Sequence, residues 1–260
     1  MTVSLLGEFL QARRARVRPD DVGLTGFGRR RVRGLRREEL ARLAGVSVQY
    51  LTRLEQGVDT HPSRQVLDAL ATALRLDPYA AAHLRSLADP APRVDTPSGA
   101  SAEVQQLLDS WGSVPAYVRD RRFDVLMANK SAMALAPMYH PGSNLVRAVF
   151  LDPGTRTLFP DWQDIAEQTV AALRATADLR DPPTAALVAE LQSNDNFRRL
   201  WARHDVRPSR SEVKRFDHPD VGRLIMRRQT LTIAGADDQV IIVYQPEPGS
   251  PSADALARLT

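Results

Sequence analysis

The chain has 260 residues, of which 43% are hydrophobic and 25% are charged, the ordinary composition of a globular protein with a sizeable core. Its formal net charge of +4 favours a polyanionic partner, and its length favours two domains. It has no cysteine, which excludes disulfides, thiolate catalysis and cysteine-ligated zinc or iron–sulfur clusters. The N-terminus has no secretory signal pattern, and the longest apolar run, residues 240–244, is too short to span a bilayer. We therefore expect a soluble, cytoplasmic protein without a membrane contact.

The first predicted elements are a helix and an arginine-rich loop. The helix covers residues 5–16, with Leu6, Phe9 and Leu10 on its buried face. Residues 1–88 hold 15 Lys and Arg against 9 Asp and Glu, so the positive surplus of the chain lies there. Guanidinium groups match phosphate oxygens, and about four such contacts would give log K a slope of roughly −3.6 against log salt. Six arginines fall within nine positions: Arg29, Arg30, Arg31, Arg33, Arg36 and Arg37.

Two short helices separated by a glycine follow the arginines. Leu40 and Leu43 share one face of the first helix, and Gly45 stands where a left-handed cap residue belongs. Ser47 is placed to cap the second helix, which ends at Gly57. This pattern predicts a helix-turn-helix, in which the second helix enters the major groove of DNA. A helical hairpin that only packs is the alternative, and the neighbouring positive charge favours DNA binding.

The outward face of the second helix supplies the residues for DNA contact. Gln49 and Arg53 are the geometric partners of adenine and guanine, and Tyr50 and Thr52 would contact base methyl groups or phosphates. Ser47, at the positive end of the helix, and the loop arginines would hold the backbone. One such helix reads few base pairs, so we expect a homodimer on two half-sites. The predicted DNA-contacting residues are Ser47, Val48, Gln49, Tyr50, Thr52, Arg53, Arg30, Arg31, Arg33, Arg36 and Arg37.

Two more helices complete the predicted N-terminal domain. Ser63 begins the fourth helix, and Asp77 followed by Pro78 begins the fifth. Five helices over residues 1–88 predict an all-α DNA-binding domain. RNA is an alternative polyanion, but this part of the chain holds few aromatic side chains on which bases could stack. Double-stranded DNA is therefore the predicted partner.

The sequence changes in character after residue 88. Residues 89–105 are rich in proline and are predicted to form a linker. A strand pair follows at 116–118 and 123–127, and a helix begins at Asn129. Further helices are predicted at 165–177, 185–191 and 194–204, and strands at 212–216, 224–233 and 239–244. This content predicts an α+β domain with an antiparallel sheet over residues 106–260.

Several segments share a resemblance to one family. The run GLRREELARLAGVSVQYLTRLEQG is similar to the Cro/repressor-type (XRE) helix-turn-helix of MmyB-like bacterial transcriptional regulators. The segments VRDRRFDVLMAN, FLDPGTRTLFPDW, FRRLWARHDV, VKRFDHPDVGRL and VYQPEPGSPSADALARL resemble their C-terminal half. The resemblance implies a five-helix repressor-type domain followed by a PAS-like ligand-binding domain. It also implies a fatty acid as the ligand in at least one branch.

The aromatic residues of the second domain have two interpretations. They either fill an ordinary core or line an apolar ligand cavity. Residue type alone favours the core, and the family resemblance brings the two interpretations closer to equal weight. Arg147, Arg156 and Arg228 are candidate partners for a ligand carboxylate. The residues predicted to contact the ligand are Leu126, Met133, Phe150, Phe159, Phe197, Trp201, Arg147 and Arg228.

No pattern typical of catalysis or metal binding is found. The histidines have no His or Glu partner at metal-ligand spacing, and neighbouring residues such as His204 and Asp205 do not face each other. We therefore expect no enzyme activity and no cofactor other than a non-covalent fatty-acid-like ligand. The predicted function is a sequence-specific transcriptional regulator whose C-terminal domain binds a ligand that modulates DNA binding. The alternative is a C-terminal domain that only dimerises or contacts a protein partner such as RNA polymerase.

Overall fold

The computed structural model describes residues 4–24, 34–89, 101–207, 212–236 and 238–259. The packing of the chain separates two units. The first consists of Met1–Arg93 and Leu200–Arg207, and the second of Val94–Arg199 and Pro208–Thr260. No helix in the described ranges is long and apolar enough to cross a membrane.

The first unit contains five α-helices in its described part, as predicted. Polar side chains cap four of them, because Ser4, Ser47, Ser63 and Asp77 accept hydrogen bonds from amides of the following turn. Fully buried leucines from each helix form the core. The helices are α1 (Leu5–Arg16), α2 (Arg37–Leu43), α3 (Val48–Glu55), α4 (Arg64–Ala73) and α5 (Pro78–Ala88).

Helices α1 and α3 approach each other closely at Gly7. A Cβ atom added at this position would lie 2.3 Å from the carbonyl oxygen of Glu55. The carbonyl belongs to the backbone of α3 and cannot move aside without shifting the helix. The missing side chain at Gly7 is therefore what allows the two helices to pack at this distance.

We expect Gly7→Ala to destabilise the first unit, although alanine favours a helix more than glycine does. The gain in helix propensity is about 1 kcal/mol, whereas forced overlap in a packed core costs about 1–3 kcal/mol and more against backbone. Hydrogen–deuterium exchange of the α1 and α3 amides measures the difference. Unchanged or stronger protection in the variant would show that the helices are not in such close contact.

A short segment from late in the chain, residues 200–207, belongs to the first unit. Asp205 is its main anchor. The Asp205 carboxylate contacts Nη1 of Arg16, lies 3.5 Å from Nη1 of Arg13, and lies 2.9 Å from Nε of Arg203. Two of these arginines are on α1, so the segment is joined to the first helix of the bundle by ion pairs.

The helix that precedes this segment, α12 (Asp195–Trp201), is shorter than predicted. The sequence predicts a helix through residue 204, but the helix ends three residues earlier. His204 has a φ of 51°, in the left-handed region that a right-handed helix cannot contain. The chain therefore leaves the helix before it reaches Asp205.

The second unit is built on a five-stranded sheet in which every pairing is antiparallel, in the order β2-β1-β5-β4-β3. The predicted α+β class with an antiparallel sheet is confirmed. The strands are β1 (Ala116–Asp120), β2 (Val125–Ala128), β3 (Glu212–His218), β4 (Gly222–Thr232) and β5 (Gln239–Pro246).

Helices cover both faces of this sheet in part. One of them, α6, begins at Ala102 and therefore lies partly inside the predicted linker, of which residues 90–100 are outside the described ranges. Besides α12, the helices of this unit are α6 (Ala102–Ser110), α7 (Lys130–Leu135), α8 (Leu145–Leu151), α9 (Gly154–Leu158), α10 (Trp162–Thr176), α11 (Pro182–Leu191) and α13 (Pro251–Ala257). Helices α8, α9 and α13 were not predicted from the sequence.

Strand alternation sorts the side chains of the sheet onto two different surfaces. On one face, Leu108 of α6 packs against Val118 and Ile241 in an apolar core. The opposite face carries polar side chains at positions that the strand register brings together. These are Tyr117 and Arg119 of β1, Lys214 of β3, Arg228 of β4 and Tyr244 of β5.

Candidate DNA interface and ligand cavity

Helix α3 presents most of the predicted DNA-contacting residues to the outside. Leu51 and Leu54 are fully buried and fix its inner face. Ser47, Val48, Gln49 and Arg53 are exposed, and Tyr50 and Thr52 are half-buried. The first half of the helix is thus accessible to a large partner such as a DNA duplex.

The hydroxyl groups of Ser47 and Thr52 already have partners in this helix. The Ser47 Oγ atom accepts a hydrogen bond from the Tyr50 amide at 3.1 Å, as the N-cap prediction requires. The Thr52 hydroxyl donates to the Val48 carbonyl oxygen at 2.8 Å. The turn before the helix uses Gly45 with a φ of 65°, which matches the predicted left-handed cap. Direct DNA contacts by these residues stay a prediction.

A buried carboxylate at the end of α3 holds the helix against its neighbours. The Glu55 side chain is fully buried, and its oxygens lie 2.7 Å from Nε of Arg14 and 2.6 Å from Nε of Arg37. Gln11 donates to the Glu55 carbonyl oxygen at 2.9 Å, and Arg14 also donates to the Leu35 carbonyl oxygen at 2.9 Å. One side chain therefore links α1, α2 and α3.

The arginines predicted to contact phosphate have different surroundings. Arg37 is committed to Glu55 through Nε, although 43% of its side chain remains exposed. Arg36 is exposed, and its backbone amide donates to Glu39 Oε2 at 2.7 Å in the first turn of α2. Arg30, Arg31 and Arg33 lie outside the described residues, so their phosphate contacts stay a prediction.

The second unit contains a cavity between the polar face of the sheet and the helices that cover it. Its open space measures about 520 Å³, including the solvent at its mouth. Strands supply its three cationic side chains, and α8, α10 and the loops supply most of its apolar ones. The lining residues are Tyr117, Arg119, Phe123, Met138, Tyr139, Leu145, Val149, Phe159, Ile165, Gln168, Thr169, Lys214, Arg228 and Tyr244.

Three buried cations face this cavity, and none of the fourteen lining residues described is acidic. Lys214 Nζ donates to Gln168 Oε1. Arg119 donates through Nη1 to the Asp120 carbonyl oxygen at 2.8 Å. The side chain of Arg228 makes no hydrogen bond or ion pair with the part of the chain that the structure describes. Burial of a cation is costly without a counter-charge, so this arrangement suits an anion.

The electrostatics of the cavity agree with this charge balance. Burial lowers the pKa of Arg119 to about 10; nearby Tyr117 opposes the shift and the like charge of Arg228 adds to it. The Arg119 guanidinium carbon lies 3.8 Å from the centre of the Phe123 ring. Burial also raises the pKa of Tyr117 and Tyr139. At neutral pH the Arg119 guanidinium is therefore charged, and the phenols of Tyr117 and Tyr139 are uncharged.

The structure brings two of the eight predicted ligand-contacting residues, Phe159 and Arg228, to this cavity. Leu126 packs on the opposite face of the sheet. Arg147 pairs with Glu190 at the surface, with Nη2 2.7 Å from Oε2. The third proposed anchor, Arg156, lies 4.3 Å from the centre of the Trp162 ring.

The remaining predicted residues lie in other clusters of the described structure. Phe150 packs edge-on against Phe197 and Trp162, with ring centres 5.2 and 6.1 Å apart. Met133 is half-buried on α7, and Trp201 belongs to the segment grouped with the first unit. None of them is among the lining residues of the cavity.

Arg119, Lys214 and the three tyrosines of the cavity were not predicted from the sequence. Its available signal was strand alternation, since Tyr117 and Arg119 are two positions apart and must share a face. That signal does not reveal which face of the sheet is covered by helices. No group of three or more metal-ligand side chains is found among the described residues.

Two family models match the chain. Residues 5–84 match a helix-turn-helix domain, and residues 100–259 match the MmyB-like transcription regulator ligand binding domain. No curated protein matches the chain. The helix-turn-helix geometry of α2 and α3 and the cavity of the second unit fall within these two ranges. The ligand-binding match covers more than half of the chain. The chain therefore belongs to the family of MmyB-like transcription regulators and is a DNA-binding regulator.

Proposed function

We propose that this chain is an XRE-type bacterial repressor or activator that binds its operator as a homodimer and responds to a fatty-acid-like carboxylate. The exposed face of α3 supports base recognition, with Gln49 and Arg53 as the readers. A homodimer supports specificity, because two such helices read about twice as many base pairs as one. The ligand binds the cavity of the second unit and changes the affinity for DNA.

One observation carries the ligand proposal: three buried cations surround a cavity whose other walls are largely apolar or aromatic. A carboxylate would accept hydrogen bonds from Arg228 and Lys214 and offset the repulsion between Arg228 and Arg119. Its hydrocarbon chain would contact apolar residues such as Val149 and Phe159. An apolar molecule without an acid group would leave the cations uncompensated.

The ligand regulates DNA binding only through a difference in affinity. A molecule that binds the DNA-competent and DNA-incompetent states equally well shifts neither. The carboxylate must therefore bind one of the two states more tightly. DNA affinity measured with and without the acid gives the sign of this coupling, and the reciprocal effect of DNA on acid binding must have the same size.

Thermal denaturation with myristate, and with myristyl alcohol as its uncharged counterpart, tests the ligand class. Myristate at 100 times its Kd should raise the free energy of unfolding by about 2.7 kcal/mol, and the alcohol should do so much less. Arg228→Met should abolish the effect of the acid. This variant should not be less stable without ligand, because it removes a buried cation that has no hydrogen-bond partner in the described structure.

Arg227→Met is the matched control, since Arg227 is exposed on the opposite face of the same strand. It should keep the full response to myristate. An equal response of both variants would contradict binding at Arg228. A wild-type chain that shows no shift with any acid, and no adduct by native mass spectrometry, would favour the alternative of a dimerisation or RNA polymerase-binding module.

A further inference from the structure

A carboxylate just beyond the end of α3 holds the side chain of Arg53. Asp59 Oδ2 lies 3.0 Å from Nε of Arg53, and Asp59 Oδ1 accepts a hydrogen bond from Nη2 at 3.1 Å. The contact is therefore bidentate and uses the side edge of the guanidinium plane. The Arg53 side chain is 58% exposed and that of Asp59 is 28% exposed, so the pair lies at the surface of the bundle.

The backbone fixes the position of Asp59 relative to Arg53. The amide nitrogens of Val58 and Asp59 lie 2.9 and 3.3 Å from the Arg53 carbonyl oxygen, and both donate to it. Gly57 makes this fold-back with a φ of 71°. An exposed ion pair contributes little to stability. What this pair adds is a fixed direction for the guanidinium group.

The donors that Asp59 leaves unused match one base. A guanidinium group has five N–H donors, of which Asp59 takes the one on Nε and one on Nη2. The two donors of Nη1 and the second donor of Nη2 remain along the end edge of the group. This edge fits the O6 and N7 acceptors of guanine in the major groove. The negative charge of Asp59 also repels phosphate oxygens, so it turns Arg53 from the DNA backbone toward a base.

We propose that Asp59 is a positioning residue that holds Arg53 for recognition of a guanine base. The inference rests on the proposed function, because Arg53 must reach the bases of the bound duplex. Without Asp59 the arginine samples other rotamers and pairs with phosphates. The variant protein then distinguishes guanine less well and binds duplexes of any sequence more tightly.

Selection from a random pool of DNA duplexes tests this role with the full chain. The wild-type protein, Arg53→Ala, Asp59→Ala and the double variant are compared. We expect the wild type to require guanine at one position and Arg53→Ala to lose this requirement. Asp59→Ala should weaken it by about fivefold or more, the effect of losing one well-formed bidentate contact. In the Arg53→Ala background, Asp59→Ala should change no base preference further.

Asp68→Ala is the matched control for charge. Asp68 on α4 pairs with Arg85, whose Nη2 lies 2.7 Å from Asp68 Oδ1, and the pair is similarly exposed. Removing this carboxylate should raise the affinity for all duplexes by the same factor and change no base preference. The proposal is overturned if Asp59→Ala keeps or sharpens the guanine preference. It is also overturned if Asp59→Ala changes base preference by the same amount in the Arg53→Ala background as in the wild type. A wild-type chain that binds no duplex overturns the proposed function and this inference together, before any variant is compared.

Discussion

Glu55→Ala is expected to cost about 3–5 kcal/mol of stability in the first unit, because it removes one partner of a buried ion pair. Glu55 is fully buried and is paired with two arginines. Its removal leaves Arg14, whose side chain is only 17% exposed, without a counter-charge. Arg37 is 43% exposed and can be rehydrated, so most of the cost comes from Arg14.

The loss is measured by hydrogen–deuterium exchange of amides in α1, α2 and α3, the three helices that Glu55 joins. Glu55→Gln keeps an acceptor for one arginine and should lose less than Glu55→Ala. Glu38→Ala removes an exposed carboxylate from α2 and should cost no more than about 1 kcal/mol. Equal protection in the Glu55→Ala and Glu38→Ala variants would show that the buried carboxylate does not hold α3.

Arg53→Ala is expected to cost about 1–3 kcal/mol of affinity for the selected DNA and to relax the base preference at one position. The reason is the loss of a bidentate contact to a base edge. Binding selection followed by titration of the selected duplex measures both quantities. A selected sequence that is identical for the wild type and the variant would remove Arg53 from the base-reading residues.

Arg42→Ala separates base reading from general charge. Arg42 is exposed on α2 and carries the same charge as Arg53, but it is not on the helix predicted to enter the groove. Its removal should change the affinity for all duplexes by one factor and leave base preference unchanged. Arg53→Lys should behave more like Arg53→Ala than like the wild type, because lysine lacks the planar fork.

Local signals explain why the first unit was predictable. The caps at Ser47, Ser63 and Asp77 and the turn at Gly45 each depend on a few consecutive residues, and the structure contains them all. What the sequence did not show is the pairing of Arg37 with Glu55, which are 18 positions apart. A phosphate contact was the natural prediction for Arg37, since it is the last of six arginines within nine positions.

The elements missed in the second unit are short or hidden by turn-forming residues. Helices α8 and α9 have seven and five residues, too few to show a helical period. Helix α13 follows a stretch rich in proline and glycine that resembles a loop. Its start nevertheless has a helix signal, because Ser250 is the N-cap and Pro251 the first helical residue.

The cavity could not be predicted from the sequence, because contacts between distant segments form it and no local pattern reveals them. Arg119, Lys214 and Arg228 come from three different strands, and the order of those strands is not encoded in any one segment. Arg228 was predicted from its residue type alone. Large aromatic residues such as Phe150 and Phe197 were equally consistent with a core, and the structure places them in an aromatic cluster outside the cavity.

The ion pairs of Asp205 with Arg13 and Arg16 have a practical consequence for anyone who divides this protein. A recombinant fragment that stops at residue 93 lacks one piece of its own bundle, and grafting the N-terminal half onto another regulator discards the same piece. Residues 200–207 would have to be supplied in trans as a peptide or fused by a loop. The first unit is therefore defined by which residues pack together and not by one continuous stretch of sequence.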